Sequence, residues 1–314
     1  MAEAIELIFY YLVFPGLAFC TILGLVLSFI DRKVSAMVQW RVGPGPGQPF
    51  FDVVKLLGKE TVVPEESWAR GFLAAPYVAF GAAGLAATIV WLAVLRIGGS
   101  PPGDLIVVLY LLSIPAIAVI VGGAASGNPL GAVGASREMK LVMAYELPFV
   151  AALLAVVFQT EDGATLSLSG LVALQDQAGS AMGRVSGVLG FIAALLCCQA
   201  KLGLVPFDIA EAECEIGEGA LIEYSGPALG FFKLTQAVQL ATLPALLVVV
   251  FWGGMGPGPA GVAVFALKML LIVTIFVLVK NTNPRARIDQ ALRFFWGPVT
   301  ALAFAALALA VLGV

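Results

Sequence analysis

The stretch at 206–226, PFDIAEAECEIGEGALIEYSG, contains six carboxylates and no basic residue. The six are Asp208, Glu211, Glu213, Glu215, Glu218 and Glu223. They belong to a chain of 314 residues with only twenty acidic residues, of which 61% is hydrophobic. Crowded and poorly hydrated carboxylates resist simultaneous ionisation, so some of them should keep a proton at neutral pH. Carboxylates that share protons are what a proton relay needs, and the stretch is therefore the first candidate site.

The backbone decides which of these acids meet. In a helix, Asp208, Glu211, Glu215 and Glu218 would form one narrow stripe. In an extended segment, Glu211, Glu213 and Glu215 would share one face. A solvated acidic face, or a docking surface for a basic partner, is the alternative interpretation of the same residues.

Charges within apolar segments extend the candidate site. Glu146 in MAYELPFV and Lys268 in ALKMLLIV both lie inside predicted membrane spans. A charge at the centre of a spanning helix costs about 2.5–3.5 kcal/mol on insertion scales, so each residue indicates a polar path through the protein interior. Lys268 could instead be a purely structural counter-ion of Glu146. Glu138, next to Arg137 at the mouth of the fourth span, completes the predicted relay set, although these two could form a surface pair.

The elements that must position these charges are membrane helices. A mean hydropathy of +1.01 and long uncharged runs place the chain among membrane proteins. A spanning helix needs about 20 mostly apolar residues, which predicts an all-α membrane protein with about eight spans in a single transmembrane domain over 1–314. The spans are expected near 5–30, 72–96, 104–123, 139–158, 186–205, 228–252, 259–280 and 294–314. The first has no small-residue cleavage site and is expected to be retained.

Lysine and arginine predict the orientation. Fourteen of the seventeen lie in the odd-numbered loops or at the ends of the adjacent spans, whereas Arg96 and Arg184 lie on the other side. Because basic residues concentrate in cytoplasmic loops, the loops near 31–71, 124–138, 206–227 and 281–293 are expected in the cytoplasm, with both termini outside. Within the first of these loops, Phe50, Val53, Val54 and Leu57 recur at helical spacing. This pattern predicts a short amphipathic helix that lies on the lipid surface or lines a pocket.

Redox centres are not expected in this chain. It contains no histidine, and its four cysteines form no CxxC pair, so the usual ligands of haem, zinc and iron–sulfur clusters are missing. We therefore predict no catalytic residue, no metal site and no bound cofactor.

Several motifs resemble one family over most of the chain. The acidic stretch is similar to the P-F-D-x-x-E-A-E-x-E…E-Y-S-G loop of subunit 1 of respiratory complex I. That family includes the small membrane subunit of group 4 membrane-bound nickel–iron hydrogenases and formate hydrogenlyases. GASREMKLVMAYE at 134–146, the PRARIDQ connection after the seventh span and the first loop at 30–60 resemble further family segments, in the same order.

The resemblance implies a coupling role in a bacterial or archaeal cytoplasmic membrane. It implies a hydrogenase-like large subunit and an iron–sulfur small subunit on the cytoplasmic face, which would hold the nickel–iron centre and the clusters, and antiporter-like subunits within the lipid bilayer. No nucleic-acid partner is expected. The acids named above match the loop and fourth-helix acids of the family. The charges expected to dock the cytoplasmic arm are Arg41, Asp52, Lys55, Lys59, Arg137, Arg285, Arg287 and Asp289.

The branch of the family is read from two departures. The first loop reads RVGPGPGQP, shorter than in quinone-reducing members, and Glu218-Gly219 resembles the hydrogenase branch. The hydrogenase type is therefore favoured over the quinone type, with sulfur-reducing complexes as a further alternative. The expected mechanism starts when electron transfer in the arm changes the protonation of the acidic stretch, and the change passes through Glu146 and Lys268 to neighbouring subunits. A free-standing transporter and a passive anchor remain alternative interpretations.

Overall fold

The structure, a computed structural model, describes residues 9–97, 103–159 and 166–313, except the side chains of Glu213 and Cys214. All regular elements in these ranges are helices. The longer ones are α1 (Leu17–Val38), α2 (Gln48–Leu57), α3 (Ala69–Leu95), α4 (Asp104–Ala125), α5 (Pro129–Val157), α6 (Leu168–Ala178), α7 (Val185–Lys201), α8 (Gly226–Trp252), α9 (Gly258–Thr282), α10 (Ile288–Phe294) and α11 (Thr300–Val311). A π-helical segment, Phe295–Val299, joins α10 to α11 without a break.

The prediction of an all-α membrane protein with about eight spanning helices is confirmed. Within the described ranges, seven helices are long and apolar enough to cross a membrane. The shorter apolar helix α7 has 17 residues, a rise of about 25 Å, which is at the lower limit for a span. The amphipathic helix expected in the first loop is α2.

Two expected loop boundaries are wrong. The loop expected near 124–138 shrinks to residues 126–128, because α5 begins ten residues before position 139. The side chain of Asn128 accepts a hydrogen bond from the Leu130 amide at 2.8 Å, and Pro129 occupies the first turn, which together form a favourable helix start. The first helix also continues past residue 30 to Val38, so Asp31, Arg32 and Lys33 are helical.

The core is built around α8. Of its most apolar stretch, 94% of the residues are buried, against 33% for α9. On one side α8 packs against α1 and α3, and α5 packs against α4, α7 and α11 on the other. The start of α8 at Gly226 follows the acidic stretch directly, and its far end at Trp252 is followed by Gly253 in the left-handed region, with φ +81°. The central helix therefore fixes the position of the acidic stretch at one end of the molecule.

Candidate functional site

The acidic stretch forms a compact loop, here called the acidic loop and defined as residues 202–225. It contains one helical turn at Glu213–Ile216 and one 3₁₀ turn at Gly219–Leu221. Three glycines with positive φ, Gly203, Gly217 and Gly219, prevent a continuous helix or strand because this conformation is costly for other residues. Both backbone predictions are therefore wrong: the loop has neither the helical stripe nor the extended face.

Glycines on the membrane helices let the acidic loop lie directly on them. A Cβ atom at Gly134 of α5 would lie 2.3 Å from the backbone nitrogen of Ala220. Gly123 of α4 faces the same alanine. The loop also buries Ile209, Leu221 and Tyr224. These contacts hold the carboxylates against the cytoplasmic ends of α4 and α5.

Tyr224 anchors the end of the acidic loop. Its hydroxyl donates a hydrogen bond to the Phe72 carbonyl at 2.9 Å, and its ring stacks on the Phe72 ring with 4.1 Å between centroids. Burial raises the pKa of the Tyr224 phenol well above its usual value. The phenol therefore stays protonated and serves as a structural hydrogen-bond donor.

Four acids of the loop have polar partners from other parts of the chain. Arg285 pairs with Asp208 at 2.6 Å, and Arg137 pairs with Glu215 at 2.7 Å. The Asn128 amide donates to Glu223 at 2.6 Å. Glu211 accepts from Gln236 at 3.1 Å and lies 3.8 Å from the Lys233 ammonium. The predicted crowding of unpaired carboxylates is therefore wrong for these four acids, because their partners are distant in sequence.

Exposure divides the acids into an outer and an inner group. The Glu215 side chain is 54% exposed and Glu218 is also exposed, whereas Asp208 is 19% exposed and Glu211 28%. The side chain of Glu213 lies outside the described residues. Asp208 and Glu211 are thus the described loop acids that face the protein interior.

The most buried charge pair lies deeper, between α5 and α7. The Lys201 ammonium contacts Glu146 Oε1 in a very short ion pair, and the Ser113 hydroxyl of α4 donates to the same oxygen at 2.7 Å. The Lys201 side chain is 0% exposed, and Glu146 is 25% exposed. The ammonium also lies 5.0 Å from the Tyr145 ring centre and 5.4 Å from that of Phe149, in the range of cation–π contacts.

Lys201 is the functional residue that the sequence interpretation missed. The charge pattern indicates it only as a basic residue of a cytoplasmic loop. The available signal is its position at the end of the apolar run AALLCCQAK, where an isolated lysine needs an acidic partner if its helix is packed on all sides.

A small cavity connects the two groups. It has a volume of about 50 Å³, enough for roughly three water molecules by the usual requirement of about 15 Å³ each. Its polar lining consists of Glu138, Lys201, Asp208, Glu211, Thr235, Gln236 and Gln239. This inner cavity brings the predicted acid Glu138, which is half-buried, next to the loop acids and the lysine.

A second, outer cavity of about 310 Å³ opens between α1, α2 and α8. Asp208, Glu211 and Gln236 line both cavities. At its rim, Lys280 pairs with Asp31 at 3.0 Å. The amphipathic helix α2 contributes Pro49, Val53 and Leu56 to this wall while Phe51 and Val54 face outward. It therefore has both roles that were considered for it: it lines a pocket and presents an apolar outer face.

Lys268 lies away from all these groups. Its ammonium donates to the Trp252 carbonyl at 2.8 Å and lies 5.9 Å from the Trp252 ring centre. Trp252 ends α8, whose 27 residues rise about 40 Å from the acidic loop. The proposed pairing of Lys268 with Glu146 is wrong, and the lysine instead neutralises the carbonyl end of the central helix.

The residues predicted to dock a cytoplasmic arm fall into two groups. Arg137 and Arg285 are used within the chain as partners of loop acids. Arg41, Lys55, Lys59, Arg287 and Asp289 are exposed. Asp52 accepts hydrogen bonds from Arg32 at 2.7 Å and Gln48 at 2.9 Å, and the Arg32 bond is the main cause of its lowered pKa. The exposed charges remain the available surface for a partner.

Comparison with known proteins identifies the family. The family model described as NADH dehydrogenase matches residues 11–311. The chain belongs to this family. A membrane subunit of the NADH-quinone oxidoreductase of Bacillus cytotoxicus is 33% identical, with 94% of this chain and 92% of that protein aligned. The corresponding subunit of Thermomicrobium roseum is also 33% identical, over 90% of this chain and 89% of its own length.

A solved structure agrees with this assignment. A chain of the membrane-bound sulfane sulfur reductase, an archaeal respiratory membrane complex, superimposes with a TM-score of 0.85 and 29% identity, over 94% of this chain and 96% of that chain. The resemblance to complex I subunit 1 is confirmed. The protein is a multi-pass membrane subunit of the complex I-like class of respiratory complexes.

Proposed function

We propose that this chain anchors a peripheral electron-transfer arm to the membrane and couples its chemistry to proton or sodium translocation. The observation on which this rests is the continuous set of ionisable groups from the cytoplasmic surface to the membrane interior. It begins at Asp208 and Glu211 in the acidic loop, passes the inner cavity and reaches the buried Lys201–Glu146 pair. Buried ionisable groups are costly in a membrane protein and are usually found along ion pathways.

The exposed part of Glu146 supports a membrane neighbour. One of its oxygens accepts from Ser113 and Lys201, yet a quarter of the side chain is exposed between α4 and α5. Tyr110, Met143 and Leu147 on the same helices are 73%, 63% and 54% exposed. A partly open carboxylate facing hydrocarbon would be unfavourable. A polar group of an antiporter-like subunit at this face would complete its surroundings and continue the path.

The arm that we propose is of the nickel–iron hydrogenase type. The shortened RVGPGPGQP loop and the additional acid Glu218 support this branch. In this arrangement a hydrogenase-like large subunit and an iron–sulfur small subunit contain the metal centres and dock on the exposed charges of the cytoplasmic face. Arg41, Lys55, Lys59 and Arg287 supply the basic part of that surface.

Two other arms have specific support. The sulfane sulfur reductase likeness favours a sulfur-reducing arm. The names of the relatives favour quinone reduction, and the outer cavity of about 310 Å³ is at the lower end of the size range of small-molecule sites. All three arms use the same coupling role for this chain.

The test is purification of the intact complex in mild detergent through a tag on a partner or on this chain. The subunits are identified by mass spectrometry, nickel is measured, and hydrogen evolution, sulfur reduction and quinone reduction are assayed on the same sample. A nickel-containing complex that evolves hydrogen supports the hydrogenase branch. A nickel-free complex that reduces sulfur or quinone would contradict it, and purification of this chain as an active transporter without partners would contradict the coupling role altogether.

A further inference from the structure

Lys201 is placed between two separate groups of carboxylates. On one side its ammonium contacts Glu146 and lies 3.4 Å from the Ser113 hydroxyl. On the other side it lines the inner cavity together with Glu138, Asp208 and Glu211. Since its side chain is 0% exposed, exchange with the solvent must pass through one of these groups.

The surroundings restrict how a proton can cross this position. The aromatic rings of Tyr145 and Phe149 lie beside the ammonium. The Tyr145 hydroxyl is buried and has no hydrogen-bond partner among the described residues. Apolar Pro115, Ala116 and Phe232 line the cavity between the polar groups. The ammonium is therefore the described polar group that contacts Glu146 and also borders the cavity.

Resting on the proposed function, we infer that Lys201 is itself a proton carrier that connects the inner cavity to Glu146. In the first step an N–H bond of the Lys201 ammonium breaks and its proton forms an O–H bond with the Glu146 carboxylate, which leaves a neutral amine and a neutral acid. In the second step the amine takes a proton, through cavity water, from a protonated Glu138 or Glu211. No electron is transferred, and one proton moves from the cavity to Glu146.

The alternative is that Lys201 is only the counter-ion of Glu146. Arginine distinguishes the two roles, because its guanidinium keeps the charge and the ion pair but does not release a proton in proteins. Histidine distinguishes them in the opposite sense, because it binds and releases protons near neutral pH with a different shape. Methionine fills a similar volume and does neither.

The experiment compares Lys201→Arg, Lys201→His and Lys201→Met in the intact complex, reconstituted in liposomes. Electron transfer to the natural acceptor is measured together with proton and sodium uptake, and subunit content and thermal midpoint verify assembly. A positioned proton-transfer group accelerates its step roughly 100-fold or more. We therefore expect the Arg and Met variants to keep electron transfer but to move less than about a tenth of the ions per electron pair, with the His variant clearly above both.

Three results would overturn the inference. The first is wild-type ion uptake in the Arg or the Met variant. The second is equal uptake in the His and Met variants, which decides the question if the larger arginine prevents assembly. The third is loss of assembly in all three variants with normal assembly of Glu146→Gln, which would make Lys201 a structural residue. If the wild-type complex itself moves no ions, the proposed function fails instead.

Discussion

The close contact between α5 and the acidic loop gives a prediction with a definite sign. Replacing Gly134 by alanine places a Cβ atom 2.3 Å from Ala220 N, 2.8 Å from the Gly219 carbonyl carbon and 3.0 Å from Ala210 O. All three are backbone atoms, so a side-chain rotation cannot relieve the overlap. The loop must move away from the helix by about 1 Å to restore ordinary van der Waals contact.

The magnitude follows from two opposing terms. Alanine in the interior of a helix is more stable than glycine by about 0.5–1 kcal/mol. Overpacking against a fixed neighbour costs about 1–3 kcal/mol. Gly134→Ala should therefore destabilise the protein by about 1–2 kcal/mol, a fall of a few degrees in the thermal midpoint.

Gly81 is the matched control. It also lies inside a membrane helix, α3, and a Cβ atom there would meet nothing within 4 Å. Gly81→Ala should raise the midpoint slightly through the helix term alone. Both variants are measured by thermal unfolding in detergent, with limited proteolysis of residues 202–225 as a direct probe of the loop. A Gly134→Ala midpoint equal to or above that of Gly81→Ala, with an equally protected loop, would refute the close packing of loop and helix.

Two further predictions concern charges outside the inner cavity. The lowered pKa of Asp52 means that its pair with Arg32 stabilises the folded chain fully above the usual value of 3.8 and loses that effect as the pH falls through the lower folded pKa. The thermal midpoint of Asp52→Asn should thus lie below wild type at neutral pH and converge with it in acid; a constant difference would contradict the pair. Lys268→Met should lower stability by about 0.5–1 kcal/mol through the lost bond to Trp252 and leave ion translocation unchanged. Loss of translocation with normal stability would restore Lys268 to the relay.

The membrane helices could be predicted from the sequence because their signal is local. A run of about 20 apolar residues requires a helix wherever lipid surrounds it. The missed start of α5 has a local signal as well, the Asn128-Pro129 cap. The charged and polar residues near Arg137 and Lys140 favour a loop in the sequence prediction, which therefore places the start of the span at residue 139.

The charge pairs could not be predicted in the same way because they join distant positions. Arg285 and Asp208 are separated by 77 residues, and Arg137 and Glu215 by 78. A sequence that shows only acids in one stretch cannot show which bases fold against it. For the same reason the sequence prediction places Lys268 beside Glu146 and leaves out Lys201, the actual partner.

The relay itself is tested most directly at Glu146. The measurement is the number of ions moved per electron pair by liposomes that contain the complex with Glu146→Gln, beside Asp176→Asn as a control that removes an acid from an ion pair with Arg96, away from the acidic loop. We predict that Glu146→Gln preserves electron transfer and lowers this ratio by about tenfold or more, while the control keeps both at the wild-type level. An unchanged ratio in Glu146→Gln would contradict the claim that protons cross the membrane half of this protein at the Lys201–Glu146 pair.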